Sequence, residues 1–250
     1  VAEPKHWSPV DRLRETMIAA RLRFQWFGVC RTLSLNQKSQ AAETFGAECS
    51  FVNAEKRLID TRHPKFRAVS AVKSQTQAYW RSMSLPFPEH GVRLVRRADI
   101  EDFQKRLATF HSQLRQAVED LEAEYEAMKD SAQRRLGELY NERDYPASLV
   151  GVFDMTWDFP SVEPPEYLLQ LQPQLFAEQR CLVETRFEDA VQLAELAFAE
   201  ELSSFVSHLV ERLCDDNNGR RKLFRDSAVG TLQTFFARFD SLSIRSDDRL

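Results

Sequence analysis

The sequence predicts a mainly α protein: a long antiparallel coiled-coil hairpin on a helical head with a small β element. Three observations lead there. Gly occurs only 7 times in 250 residues, whereas α/β enzymes spend Gly on phosphate loops and tight strand-to-helix turns. From Ile100 the apolar positions Phe103, Leu107, Phe110, Leu114, Ala117 and Leu121 alternate steps of three and four, the spacing of a coiled-coil seam. Charge is laid out in blocks, net +9 over residues 1–97, −16 over 98–217 and +3 over 218–250, inside a chain of net −4.

The head comes first. Ser8-Pro9 supplies the N-cap and first position of a helix carrying Val10, Leu13, Met17, Ala20 and Phe24. The spacing shifts toward alternation over Leu22 to Val29, so a short strand can follow. Ser34 and Gln37 have capping-box spacing and open a helix with Ala41, Ala42 and Phe45. A third helix is expected over 52–61 and a fourth from Pro64 to Met83, ended by Leu85-Pro86-Phe87-Pro88. Gly91 to Arg97 alternates apolar with basic residues, which reads as a strand with a basic outer face.

In the acidic middle the seam continues through Tyr125, Met128, Ala132, Leu136 and Leu139. Extra four-residue steps at Leu121 to Tyr125 and Ala132 to Leu136 act as stutters. One helix over 98–141 would run roughly 65 Å. Its partner opens at Pro173, carries Phe176, Val183, Phe187, Ala190, Ala194, Phe198, Leu202, Phe205, Leu209 and Leu213, and ends at Asp215 to Gly219. The connector over 144–165 gathers Leu149, Val150, Val152, Phe153, Met155, Trp157 and Phe159 into an apolar tip too large to stay bare. Either it folds onto a short helix at Glu166 to Leu171, or it docks on a partner or a neighbouring copy. A last helix after Asp226, with Val229, Leu232, Phe235, Phe236 and Phe239, belongs to the core. Two domains follow: residues 1–97 with 220–250 as the basic helical head, and 98–217 as the acidic hairpin.

Chemical motifs are scarce. Walker-type, G-x-G-x-x-G, G-x-S-x-G and H-E-x-x-H patterns do not occur, which removes the usual routes to nucleotide and hydrolase chemistry. The five His are dispersed; His208 and Glu211 give a single H-x-x-E. Asp215 to Gly219 fails as a calcium loop, because Cys214 and Arg225 fall at ligand positions. Cys30, Cys49, Cys181 and Cys214 have no metal or disulfide spacing. Asp154, Asp158 and Glu163 beside aromatics could serve as a glycosidase-like pair, yet loop solvation and N-capping explain them better. No catalytic residue, metal or cofactor is expected. No apolar run approaches 18 residues and the first residues lack signal-peptide character, so a cytoplasmic protein without a membrane span is expected. The missing initiator Met and the capped, uncontinued Ser246 to Leu250 suggest a longer natural chain.

The favoured function is a non-enzymatic assembly or interaction protein, a homo-oligomer or the docking platform of a partner. Phe153, Trp157 and Phe159 would be its anchors, while Arg93, Arg96 and Arg97 would meet Glu119, Asp120, Glu122, Glu124 and Glu126. The alternative places nucleic acid on Arg21, Arg23, Arg31, Arg93, Arg96 and Arg97, with Phe24 and Trp26 stacking bases. A third reading is an enzyme built on Asp154 and Asp158 with a metal.

Three stretches carry a family resemblance: Leu22 to Val29, Trp157-Asp158-Phe159-Pro160-Ser161-Val162-Glu163-Pro164-Pro165, and Phe224 to Val229 followed by Phe236-Ala237-Arg238-Phe239. They resemble an uncharacterised group of helical proteins found on bacterial plasmids, phages and integrative elements, some encoded near MoxR-type AAA+ ATPases. The resemblance implies a partner-dependent or assembly role, with an AAA+ ATPase as a candidate partner, and supplies no catalytic residue.

Overall fold

A computed structural model describes residues 8–213 together with 233, 235–237 and 239. Helix α1 (Pro9–Thr16) starts where its cap predicts, the Ser8 hydroxyl accepting the Asp11 N–H with Pro9 in the first turn. It stops after two turns. Met17 becomes extended and the chain continues directly as strand β1 (Met17–Gln25). Met17, Ala19, Ala20 and Leu22 are all buried, so both faces of β1 are covered and its apolar run does not alternate. A strand covered on both faces cannot be told from a buried helix by periodicity alone.

The remaining elements are β2 (Cys30–Thr32), α2 (Leu35–Thr44), β3 (Glu55–Arg57), α3 (Pro64–Ser82), β4 (Ser84–Pro86), β5 (Val92–Arg96), α4 (Ile100–Glu122), α5 (Tyr125–Leu136), β6 (Asp154–Asp158), α6 (Tyr167–Leu171) and α7 (Pro173–Leu213). Four strands form one sheet in the order β4-β5-β1-β6, and β2 pairs with β3 in a second. The expectation of a mainly α, coiled-coil hairpin protein is therefore overturned, and with it the all-α description: the fold is α/β. The connector tip is a strand of the larger sheet. The segment expected as a helix over 52–61 contains β3, and the proline-rich break after α3 contains β4, where Pro86 is tolerated because β4 lies at the sheet edge.

The expected helix over 98–141 is two helices. α4 ends at Glu122 and α5 begins at Tyr125, so the chain breaks at the first stutter. Along α4 the buried positions are Phe103, Leu107, Phe110, Leu114, Val118 and Leu121. Val118 takes the place of Ala117, the drift of a straight 3.6-residue helix away from a 3.5-residue repeat. The α2 capping box forms as expected, with Ser34 and Gln37 exchanging side-chain-to-backbone hydrogen bonds. α7 starts at Pro173 and buries Val183, Phe187, Ala190, Ala194 and Phe198. The Asp215 to Gly219 loop and most of the helix expected after Asp226 lie outside the described residues.

The chain divides into two compact units, one of Val1–Leu22, Ala78–Gln104 and Trp157–Leu250, the other of Arg23–Gln77 and Lys105–Thr156. In the first, register places Ala19 and Leu85 on either side of Leu94, so all three share a sheet face. That face joins Leu13, Phe87 and Val92 in a core with Val183, Phe187, Ala190 and Ala194 of α7 and with Phe235. In the second unit, Phe153 meets Trp26, Phe27 and Phe66 edge-on at centroid distances of 4.9, 6.3 and 6.2 Å. A polar clasp lies in the same unit. Lys56 Nζ is 2.6 Å from Asp144 and donates to the Leu139 carbonyl at 2.7 Å, the Tyr145 hydroxyl donates to the Leu58 carbonyl at 3.1 Å, and Tyr125 donates to the Pro146 carbonyl at 2.9 Å.

Candidate functional site

The two stretches that carry the arginines do pair, as β1 and β5, but their register decides what the arginines can do. Ala20 stands opposite Arg93 and Val92 opposite Arg21. Cross-strand partners share a face and neighbours along a strand alternate, so Arg21 and Arg93 project to opposite faces. Arg21 makes a two-pronged contact with Asp158 at 3.0 and 3.1 Å, which raises its pKa and holds it charged. Arg93 donates to the Ser84 hydroxyl at 2.7 Å and the Ser84 carbonyl at 2.8 Å, with its guanidinium over Trp80. Arg96 forks onto Asp99 at 2.6 and 2.8 Å. Arg97 donates to the Met17 carbonyl, and Arg31 to the carbonyls of Gly28 and Cys30. Arg23 is exposed in the last part of β1.

The acidic residues expected to meet these arginines are partly engaged as well. Asp120 pairs with Lys65 at 2.9 Å, Glu126 with Lys129 at 2.6 Å, and Glu122 accepts the Leu149 N–H at 2.7 Å. The Trp26 face expected to stack bases holds an ammonium: Lys73 Nζ lies 4.2 Å from the Trp26 centroid and 5.4 Å from that of Phe24. Burial lowers the Lys73 pKa. Of the aromatic anchors, Phe153 is buried, Trp157 is half-buried within β6 and Phe159 is half-buried just after it. The structure does not gather the three into an open tip.

Comparison of the chain with family models, curated proteins and solved structures finds no match.

Asp154 and Asp158 sit at the two ends of β6 with different partners. Asp154 Oδ1 lies 3.0 Å from His111 Nε2 and accepts the Met155 N–H at 2.8 Å, while Asp158 holds Arg21. Among the described residues no group of three or more His, Cys, Asp or Glu is placed to hold a metal ion, and no helix is long and apolar enough to cross a membrane.

The surface that stands out lies on α7, away from its buried stripe. Leu196, Ala199, Ser203, Val206 and Val210 step by three, four, three and four, and all are exposed. Leu196 is 60% exposed and Val206 and Val210 are each 50% exposed, so the helix shows a second apolar seam to solvent. Glu195 and Glu200 flank its first half and are also exposed. The buried stripe of Phe and Ala dominates the sequence of α7 and conceals this seam. Its signal was available as a second three-four ladder that runs one or two residues after the stripe of Ala194, Phe198, Leu202, Phe205 and Leu209.

Proposed function

We propose that this protein acts by non-enzymatic assembly, with the exposed seam of α7 packing against the same seam of a second copy. The observation that carries this reading is the heptad-spaced ladder Leu196, Ala199, Ser203, Val206 and Val210, exposed on a helix whose other side is already buried. An antiparallel pair with its two-fold axis at Ser203 brings Leu196 opposite Val210 and Ala199 opposite Val206. Small residues at the centre let the helices approach, and larger ones close the ends. A two-fold interface must be self-complementary in this way, and three-four spacing is the pattern that interdigitates between two helices.

Two further points support the reading. Cys30, Cys49 and Cys181 are free, and Cys30 and Cys181 are exposed; exposed thiols suit a reducing compartment, so we place the protein in the cytoplasm. The resemblance to the plasmid- and phage-borne group fits the same class of role, with an AAA+ ATPase as the heterologous occupant of the seam. The nucleic-acid alternative has less support, because Arg21, Arg31, Arg93, Arg96 and Arg97 are bound to acceptors within the chain.

Absolute mass by light scattering after size exclusion tests the proposal. The wild type is expected as a dimer and Val206→Glu as a monomer with an unchanged circular dichroism spectrum. A monomeric wild type at 100 µM would overturn self-association through α7.

A further inference from the structure

The second unit holds a cavity of about 530 Å³ between the segment Arg57 to His63 and one side of α5, within the ~300–1,000 Å³ of small-molecule sites. Its floor is apolar, made by Leu58, Ile59, Met128 and Ala132, all buried. Its rim is basic. Arg57, Arg62 and Arg135 line it, against Asp60 and Glu124.

Asp60 is already committed. One carboxylate oxygen accepts the Arg62 N–H at 2.9 Å and the other accepts Arg135 Nη1 at 2.9 Å. These contacts, Arg135 first, lower its pKa and keep it ionised. They also tie the 57–63 segment to α5, so Asp60 acts as the strut that holds the cavity open.

Arg57 and Arg62 are different. Both are exposed on the rim; the Arg62 charge adds to the field that keeps Asp60 ionised, but neither guanidinium is tied down by a hydrogen bond among the described residues. A guanidinium offers five N–H donors in a planar fork that fits carboxylate and phosphate oxygens. His63 adds a donor. Its Nδ1 accepts the Lys65 N–H at 3.3 Å, which places the ring proton on Nε2. His63 also caps the start of α3, whose positive dipole end favours negative charge nearby.

We infer that this cavity is a binding site for a small organic anion, a phosphate or carboxylate on an aromatic or acyl body. The anionic head is held by Arg57, Arg62 and His63, and the body lies on Leu58, Ile59, Met128 and Ala132. Glu124 is the one acidic side chain of the lining without a cation partner; it disfavours a second negative charge and accepts from a hydroxyl or amine on the body. The site belongs to a different unit from α7 and does not depend on the assembly reading.

Titration of the full chain with 1-naphthyl phosphate, followed by amide NMR shifts, tests the inference. Saturable shifts are expected in residues 57–63 and 124–136. Inorganic phosphate alone and uncharged 1-naphthylmethanol should each bind at least tenfold more weakly. The double variant Arg57→Gln with Arg62→Gln should weaken 1-naphthyl phosphate at least tenfold. Ala127→Phe, at an exposed lining position, should block it by filling the cavity, with wild-type circular dichroism. Three results would each overturn the inference: no saturable shift in these segments, equal affinity in the folded double variant, or tighter binding of a poly-glutamate peptide at the same residues, which would reassign the surface to an acidic macromolecule.

Discussion

Lys56 is only 8% exposed, and its ammonium lies between the Asp144 carboxylate and the Leu139 carbonyl. Burying one charge is costly unless a partner is held close, and removing that partner strands the other charge. Lys56→Met is therefore expected to lower stability by about 3 kcal/mol, read as a shift of the urea midpoint, and Asp144→Asn in the same background should recover part of that loss, because it removes the stranded charge. Tyr145 packs beside this pair, its hydroxyl bonded to the Leu58 carbonyl and its ring stacked on Tyr140. Tyr145→Phe leaves that buried carbonyl unpaired and should cost about 1–2 kcal/mol. The pH dependence has a definite sign. Burial, followed by the negative fields of Tyr140 and Asp144, pushes the Tyr145 phenol up to about 12, and Tyr125 shifts in the same direction, mainly through burial. The folded protein keeps these protons where the unfolded chain, with phenols near ~10, releases them. This contribution is fully present below pH ~10 and is lost as pH rises from there toward 12. Urea midpoints should fall across that window, and the fall should be shallower in Tyr145→Phe.

At the scale of elements, the close approach of α7 to the sheet rests on small residues. Ala190 and Ala194 have no exposed surface and lie in the core with Ala19 and Leu94. Ala190→Leu adds three carbons at a position with no exposed surface and should cost about 1–3 kcal/mol by overpacking, measured as a lower thermal midpoint, whereas Leu at exposed Ala197 should be nearly neutral. Such helical facts were legible in the sequence. The Ser8-Pro9 and Ser34 to Gln37 starts, α3 from Pro64 and the buried stripe of α7 are set by local caps and by a 3.6-residue pattern, which a linear reading detects. The sheet was legible only in part, through the alternation at Gly91 to Arg97. β2, β3 and β4 have three residues each, too few to display a period of two. β1 is apolar because both its faces are covered, while the tip strand β6, Asp154 to Asp158 with two apolar residues of five, pairs over long range and leaves no local signature. The same limit hid the cavity: Arg57, Arg62 and Arg135 are unremarkable along the chain and meet only because Asp60 bonds to α5.

For the whole molecule, block charge and apolar surface make opposite predictions about how copies associate. Head-to-middle attraction requires free arginines, yet Arg96 is forked onto Asp99 and Arg93 onto Ser84, while Asp120 and Glu126 already face lysines. Arg96→Glu would then break an internal contact without removing an intermolecular one, and Trp157→Ala would trim a half-buried strand residue. Neither is expected to change the mass of the assembly. Substitutions in the α7 seam should change it, Leu196→Glu most of all, because Leu196 is the largest side chain of the ladder and is 60% exposed. Salt separates the two mechanisms further. Attraction between opposite blocks weakens as the screening length shrinks from about 10 Å at 0.1 M to about 3 Å at 1 M salt. In the antiparallel pair about Ser203 the Glu200 residues of the two copies lie only about 9 Å apart along the helix axes, a like-charge contact whose repulsion screening relieves. Dissociation measured by light scattering should therefore become weaker, or stay constant, between 0.1 and 1 M NaCl. A dimer that falls apart at high salt would assign association to the charge blocks and leave the α7 seam without that role.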